Sequence, residues 1–243
     1  MMLDRGRVAA VVRKELREYR RNRSILASMG ILPTVFLVLP VVNLLSLGNS
    51  ASPDAVRKLA SSVELGMLLT STFIPSAIAA YAIAGEREQG TLEPVLTTPV
   101  RREELIIGKA VAAALPAVAI AYGLFFVFAL VVRIAGSSTA ISAVWDPVQI
   151  FAEALFAPLL ATWATWVGMA MSARANDVRV AQQLATLGSL PALAVTALFA
   201  FRVLAPSLPL AFALAVGLAV VDSAGWWLIS QLLDRERLVA GRA

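Results

Sequence analysis

Six stretches of this 243-residue chain are long and apolar enough to cross a lipid bilayer, and they leave little room for any other kind of fold. A helix spanning the hydrocarbon needs about 20 predominantly apolar residues. The runs cover about 25–47, 64–84, 109–135, 148–171, 180–201 and 207–232. With 59% hydrophobic and 15% charged residues, what remains cannot form a soluble globular domain. The expected fold is an all-α membrane protein, with a leader over 1–24, a six-helix transmembrane domain over 25–243 and a polar connector at 85–108.

Lysine and arginine placement orients these spans, because basic residues concentrate on the cytoplasmic side. The leader holds Arg5, Arg7, Arg13, Lys14, Arg17, Arg20, Arg21 and Arg23. The connector adds Arg87, Arg101, Arg102 and Lys109, the fourth-to-fifth junction Arg174 and Arg179, and the tail Arg235, Arg237 and Arg242. Only Arg57, Lys58, Arg133 and Arg202 fall on the other side. Both termini and the connector are therefore expected in the cytoplasm, in a multi-pass protein of the cell membrane. The net charge of +5 follows from topology and calls for no nucleic-acid partner. A cleaved signal peptide is not expected, since the first apolar run exceeds the usual 7–15-residue core of such a signal. The chain has no cysteine and no histidine, which removes thiolate and imidazole metal chemistry, and no catalytic carboxylate pair stands out.

The leader reads as an amphipathic helix. At 100° per residue, Val8, Val11, Val12, Leu16 and Tyr19 share one face, and Arg13, Lys14, Arg17, Arg20 and Arg21 lie around the other. Such a helix is expected in the headgroup plane with its apolar side against acyl chains. Glu15 falls in the middle of the apolar face, which lipid contact does not explain and which calls for a cationic partner from this chain or another.

The connector is too long for a minimal helix–helix link of about two to eight residues. It carries nine charged residues between 85 and 109. Gly90 suits the left-handed residue that ends a helix. Thr91 can cap a short surface helix around 92–96, in whose first turn Pro94 is tolerated. Leu92, Val95 and Leu96 would give that helix an apolar face flanked by Glu86, Glu88 and Glu93. Thr98 then reads as an N-cap with Pro99 at the first helical position, leading into the third span. Arg101 and Arg102 would sit in that helix's first turn, against the macrodipole.

The run Glu86-Arg87-Glu88-x-Gly90-Thr91-Leu92-Glu93-x-x-Leu96-x-x-Pro99-Val100, followed by Glu104-Leu105 and Gly108-Lys109, resembles the first cytoplasmic loop of ABC transporter permeases of the type-2 exporter family. Arg13-Lys14-Glu15-Leu16-Arg17-Glu18 is similar to that family's interfacial elbow helix, and the run from Asn176 to Leu184 to the start of its fifth span. The resemblance implies two permease chains paired in the membrane, each docked to a separate ATP-binding subunit through a coupling helix in that loop. Carried over residue by residue, the contacts would be Glu86, Glu88, Gly90, Thr91, Leu92, Glu93, Leu96 and Pro99, with Glu15 and Arg17 on the elbow. Val95 departs from the leucine common at its position. The short 202–208 loop lacks the re-entrant helices of polysaccharide exporters and disfavours such a substrate.

ATP hydrolysis is not expected in this chain. A phosphate-binding loop needs G-x-x-x-x-G-K-[ST], whereas Gly108-Lys109 is preceded by Glu103 and followed by Ala110. ATP and Mg would belong to the partner subunit, with no cofactor held here. Within the spans, Pro33, Pro40, Pro75, Pro116, Pro158 and Pro191 free carbonyls and permit kinks. Asp222 is the acidic residue well inside a predicted span and a candidate for the pathway or its gating. Glu64 and Glu153 lie near span ends, where water is expected to reach them. Trp163, Trp166, Trp226 and Trp227 read as interfacial anchors or packing. The competing classes are a self-sufficient secondary transporter or channel, which would need midplane ion sites and an internal repeat, and a membrane scaffold that recruits an ATPase without transporting.

Overall fold

A computed structural model describes residues 4–46, 52–88, 90, 101–175, 177–201, 203–204 and 207–232. Among them every regular element is an α-helix: α1 (Arg5–Tyr19), α2 (Arg23–Ser46), α3 (Pro53–Ala80), α4 (Ala84–Glu88), α5 (Arg102–Ala135), α6 (Ser138–Val144), α7 (Pro147–Arg174), α8 (Val178–Ala200) and α9 (Leu208–Leu232). Five stretches are long and apolar enough to cross a membrane: Ile25–Asn43 in α2, Pro53–Glu88 over α3 and α4, Arg102–Ala135 (α5), Pro147–Arg174 (α7) and Leu208–Gln231 in α9. α8, read from the sequence as a further span, is a continuous helix of 23 residues outside that group. Its first half carries Arg179, Gln182, Gln183, Thr186 and Ser189.

Several helices start earlier than hydropathy indicates, because caps and not apolarity set their ends. α3 begins at Pro53, where the Ser52 side chain accepts from Ala55 N and proline occupies the first turn. Asp146 does the same for α7 through Val148 N. α5 begins at Arg102 with Arg101 extended as its N-cap, so the start expected at Thr98–Pro99 falls three residues too early. The Glu104 carboxylate reaches back to the Arg101 N–H at 2.9 Å and fixes that start. At 1.5 Å per residue, the 34 residues of α5 span about 51 Å, well beyond a hydrocarbon core of about 30 Å. Its first two turns, down to Lys109, are helix that the sequence reading had assigned to the connector. The short α6 was not expected, and Ser137 caps it through Ala140 N.

α3 and α7 form the centre of the bundle and pack most extensively on each other. In α3, 78% of the most apolar window is buried, against 12% in α2, which places α2 at the periphery. Small residues let the central pair approach. A Cβ on Gly168 of α7 would stand 2.6 Å from Ala79 Cβ of α3, and Ala157, Ala161 and Ala164 are fully buried. Outward-facing side chains such as Ile134, Phe126, Val220 and Leu187 are large, apolar and exposed, as a lipid-facing surface requires. All six span prolines sit inside helices that continue through them. Trp166 and Trp226 meet as a tilted pair with ring centroids 5.6 Å apart, joining α7 to α9 by packing.

Glu64 and Glu153 depart from expectation. Both are buried, 5% and 4% exposed, because they lie on the packed α3 and α7 rather than at wetted ends.

Candidate functional site

α1 folds back onto the first turns of α5, and the chemistry of the chain concentrates at that junction. The contact is close because Gly108 has no side chain: a Cβ there would stand 2.6 Å from Val11 Cγ1. The apolar stripe expected to face lipid instead packs on protein. Val11 and Tyr19 are buried, and Val12 and Leu16 pack against the cluster containing Ile106 and Ala110. At the N-terminal end of α1, the fully buried Glu104 accepts from Asp4 N at 3.1 Å and lies 3.7 Å from Arg7 Nη1.

The centre of the junction is an ionic cluster. Lys109 Nζ, on α5, donates to Glu15 Oε1 of α1 at 2.9 Å and to Glu86 Oε1 of α4 at 2.7 Å. Lys14 Nζ lies 3.2 Å and 3.0 Å from the same two oxygens, and 3.2 Å from a Glu18 oxygen. Glu15, Glu86 and Lys109 are 4–8% exposed, so the pairs are largely shielded from water. Burial alone would raise the Glu15 carboxyl, but the Lys109 and Lys14 ammonium groups outweigh it and hold the group below its ordinary value. For Lys14, burial lowers and the Glu15, Glu86 and Glu18 carboxylates raise; the carboxylates prevail and its ammonium form is held above the ordinary lysine range. The cationic partner that Glu15 called for thus comes from this chain.

α4 is the second arm. Between α3 and α4 the helix breaks at 81–83, and Ser172 of α7 satisfies the freed groups. Its Oγ accepts from Ile83 N at 3.0 Å and Ala84 N at 2.9 Å, and donates to Ala80 O at 2.6 Å. Beyond it, Arg87 Nη1 donates to Ala175 O at 3.1 Å and Glu88 Oε1 accepts from Val178 N at 2.9 Å. Those two contacts cap the end of α7 and the start of α8. Gly90 follows with φ +68°, the left-handed residue expected there. One platform therefore gathers α1, α4, the α7–α8 junction and the start of α5.

Of the residues singled out from sequence, the structure joins Glu15 and Glu86 through Lys109 and places Glu88 on the α8 start. Arg17 is exposed in the last turn of α1. Thr91, Leu92, Glu93, Leu96 and Pro99, with the expected surface helix, lie outside the described residues. Asp222 lies elsewhere, on α9, 8% exposed, and neither carboxylate oxygen has a hydrogen-bond partner among the described residues. Sequence reasoning missed Lys109, Lys14, Glu104 and Ser172 as partners. Lys109 had a signal, since a carboxylate on an apolar stripe demands a cation on whatever covers that stripe. Ser172 had none.

Beside the platform, an open groove of about 870 Å³ runs between α2, α3 and α8, lined by Ile25, Ile31, Phe73, Tyr81, Gln182 and Thr186 among others. Its walls are apolar except where Tyr81, Gln182, Gln183 and Thr186 enter.

A comparison with curated proteins found no match. Residues 9–232 match the family model described as ABC-2 family transporter protein, a match that takes in α2 to α9 and most of the leader helix. The chain belongs to the ABC-2 transporter family, as the membrane permease component of an ABC transporter.

Proposed function

We propose that this chain is the transmembrane subunit of an ATP-driven exporter, working as a dimer and driven by a separate ATP-binding subunit that grips the 85–108 connector. The buried Glu15–Lys109–Glu86 cluster carries the reading. The connector leaves the bundle from α4 and re-enters it at α5, and Lys109 bonds both of these arms to α1 and to each other. Force applied to the connector would therefore move α1, α4 and α5 as one body instead of bending a loose loop. In this arrangement α8 is the fifth of six crossings, the termini and platform face the cytoplasm, and α1 is the elbow. Thr91, Leu92, Glu93, Leu96 and Pro99 form the coupling helix and its flanks, with Glu88, Gly90 and Arg17 beside them. The apolar groove between α2, α3 and α8 supports pairing with a second permease chain. Asp222, buried on α9, is proposed to act in gating.

Expression with the products of adjacent genes tests the reading. The chain should copurify with an ATP-binding subunit, and replacing Glu93 and Leu96 by alanine should remove transport-stimulated ATPase while leaving membrane insertion unchanged. Failure to retain any ATP-binding subunit would remove the exporter reading. Full stimulation in the double variant would remove the coupling assignment.

A further inference from the structure

Beside the Gly108 contact, a second open groove, of about 850 Å³, runs between α1 and the first turns of α5. Arg5, Val8, Ala9, Val12 and Arg13 recur at the spacing of one helical face, so α1 presents an apolar wall with a guanidinium at each end. Ile107 and Val111, one turn apart on α5, form the opposite wall. Ala9 has only a methyl group to place in the hollow between them. Arg5 and Arg13 are exposed, and neither side chain has a hydrogen bond or ion pair among the described residues. Acidic groups close by are already engaged: Asp4 and Glu104 lie 3.6 and 3.7 Å from Arg7, Glu15 2.9 Å from Lys109 and Glu18 3.2 Å from Lys14. Glu103, exposed one turn before Ile107, does not line the groove. The uncharged stretch of α5 runs from Ala110 to Val132, about 34 Å, which matches a hydrocarbon core of about 30 Å. Val111 and, one turn on, Leu115 are 41% and 55% exposed and face acyl chains, while Ile107 stands at headgroup level. The groove therefore opens into lipid along its α5 wall and ends on cationic side chains.

We propose that this groove binds one anionic phospholipid, its phosphate held by Arg5 and Arg13 and an acyl chain laid along Val12, Ile107 and Val111. A guanidinium offers phosphate oxygens two parallel N–H donors, and basic pockets between helices at the membrane surface select anionic headgroups. The two arginines are eight residues apart, about 12 Å along α1, a gap that their long side chains close from either end. A zwitterionic lipid would meet the same apolar walls but bring its own cation against two others. The bound lipid holds α1 on α5 from the flank, beside the ionic cluster and independently of how the connector is driven.

Native mass spectrometry tests this on the full chain released from nanodiscs of equal parts phosphatidylglycerol and phosphatidylcholine. One phosphatidylglycerol per chain should be retained in preference to phosphatidylcholine by roughly tenfold, the order expected of two basic residues beside an anionic headgroup. Arg5→Gln with Arg13→Gln should abolish the preference, and Ala9→Trp, which fills the hollow and keeps both charges, should prevent retention. Arg20→Gln with Arg21→Gln removes as much charge from outside the groove and should leave the preference intact. Equal retention of the two lipids would overturn the proposal, as would survival of the preference without Arg5 and Arg13 or its loss without Arg20 and Arg21. Displacement of the lipid by added inorganic phosphate would make the groove a site for soluble anions and refute the lipid. All five positions are exposed, and should Ala9→Trp fail to fold, the two arginine pairs still decide the matter.

Discussion

Removing Lys109 is the sharpest test of the platform. Its ammonium is 2.7–2.9 Å from two carboxylate oxygens, and at an effective dielectric constant near 20 each contact is worth roughly 6 kcal/mol of gross attraction. Desolvation offsets most of that, so the informative quantity is the cost of leaving a buried charge unmatched, about 3–5 kcal/mol. In Lys109→Met the contacts of the cluster, among the described residues, set Glu15 and Glu86 against Lys14, and Glu15 loses its buried ammonium under a 4–8% exposed surface. For a chain of this size about 2–4 °C is lost per kcal/mol, so a fall in Tm on the order of 6–20 °C is expected in detergent or nanodiscs. Adding Glu15→Gln removes that carboxylate, leaving Lys14 with Glu86, and the double variant should recover part of the loss. A thermal-shift double-mutant cycle reads this directly. A coupling below about 0.5 kcal/mol would mean that Glu15 and Lys109 act independently, and the tether would be refuted.

Three further outcomes follow from the same geometry. In spin-label distance measurements between α1 and α5, the contact should be constant from pH about 5 to about 10. It should loosen only below the ordinary glutamate value near 4.3, as Glu15 protonates through its lowered pKa, or above about 10.4, as Lys14 loses its proton; release near neutrality would contradict the assignment. Gly108→Ala should destabilise by about 1–3 kcal/mol in a thermal-shift assay, because its methyl would overlap Val11, and Val11→Ala should relieve it. Ser172→Ala should cost about 1–3 kcal/mol by orphaning buried N–H groups of Ile83 and Ala84 and raise protease sensitivity at 81–84, and a neutral result would show that the break holds itself.

The α3–α4 break and the ionic cluster explain why the platform was only half legible in the sequence. Gly90 was readable because a left-handed residue is a local demand that glycine meets by lacking a Cβ, and φ is +68° there. Glu15 was readable as a problem, a carboxylate on an apolar face, but not as its solution. The start of α5 was misplaced because Arg101 is an uncommon N-cap and the cap comes from Glu104 bonding back to its N–H. The break at 81–83 carries no proline or unusual glycine, since it is made by a hydroxyl from another helix.

By itself the sequence determined that the chain is helical and membrane-bound, where most long helices run, and that a polar connector interrupts them. Those are properties of single segments: apolar length against bilayer thickness, and backbone groups that must bond within their own helix. Tertiary structure decided which charges cancel and which do not. Glu15 and Lys109 are 94 residues apart in the chain, and Ser172 and Ala80 are 92 apart. Whether a buried carboxylate finds an ammonium, as Glu15 does, or has no hydrogen-bond partner among the described residues, as Asp222 does, depends on which helix faces pack together, and no local pattern encodes that.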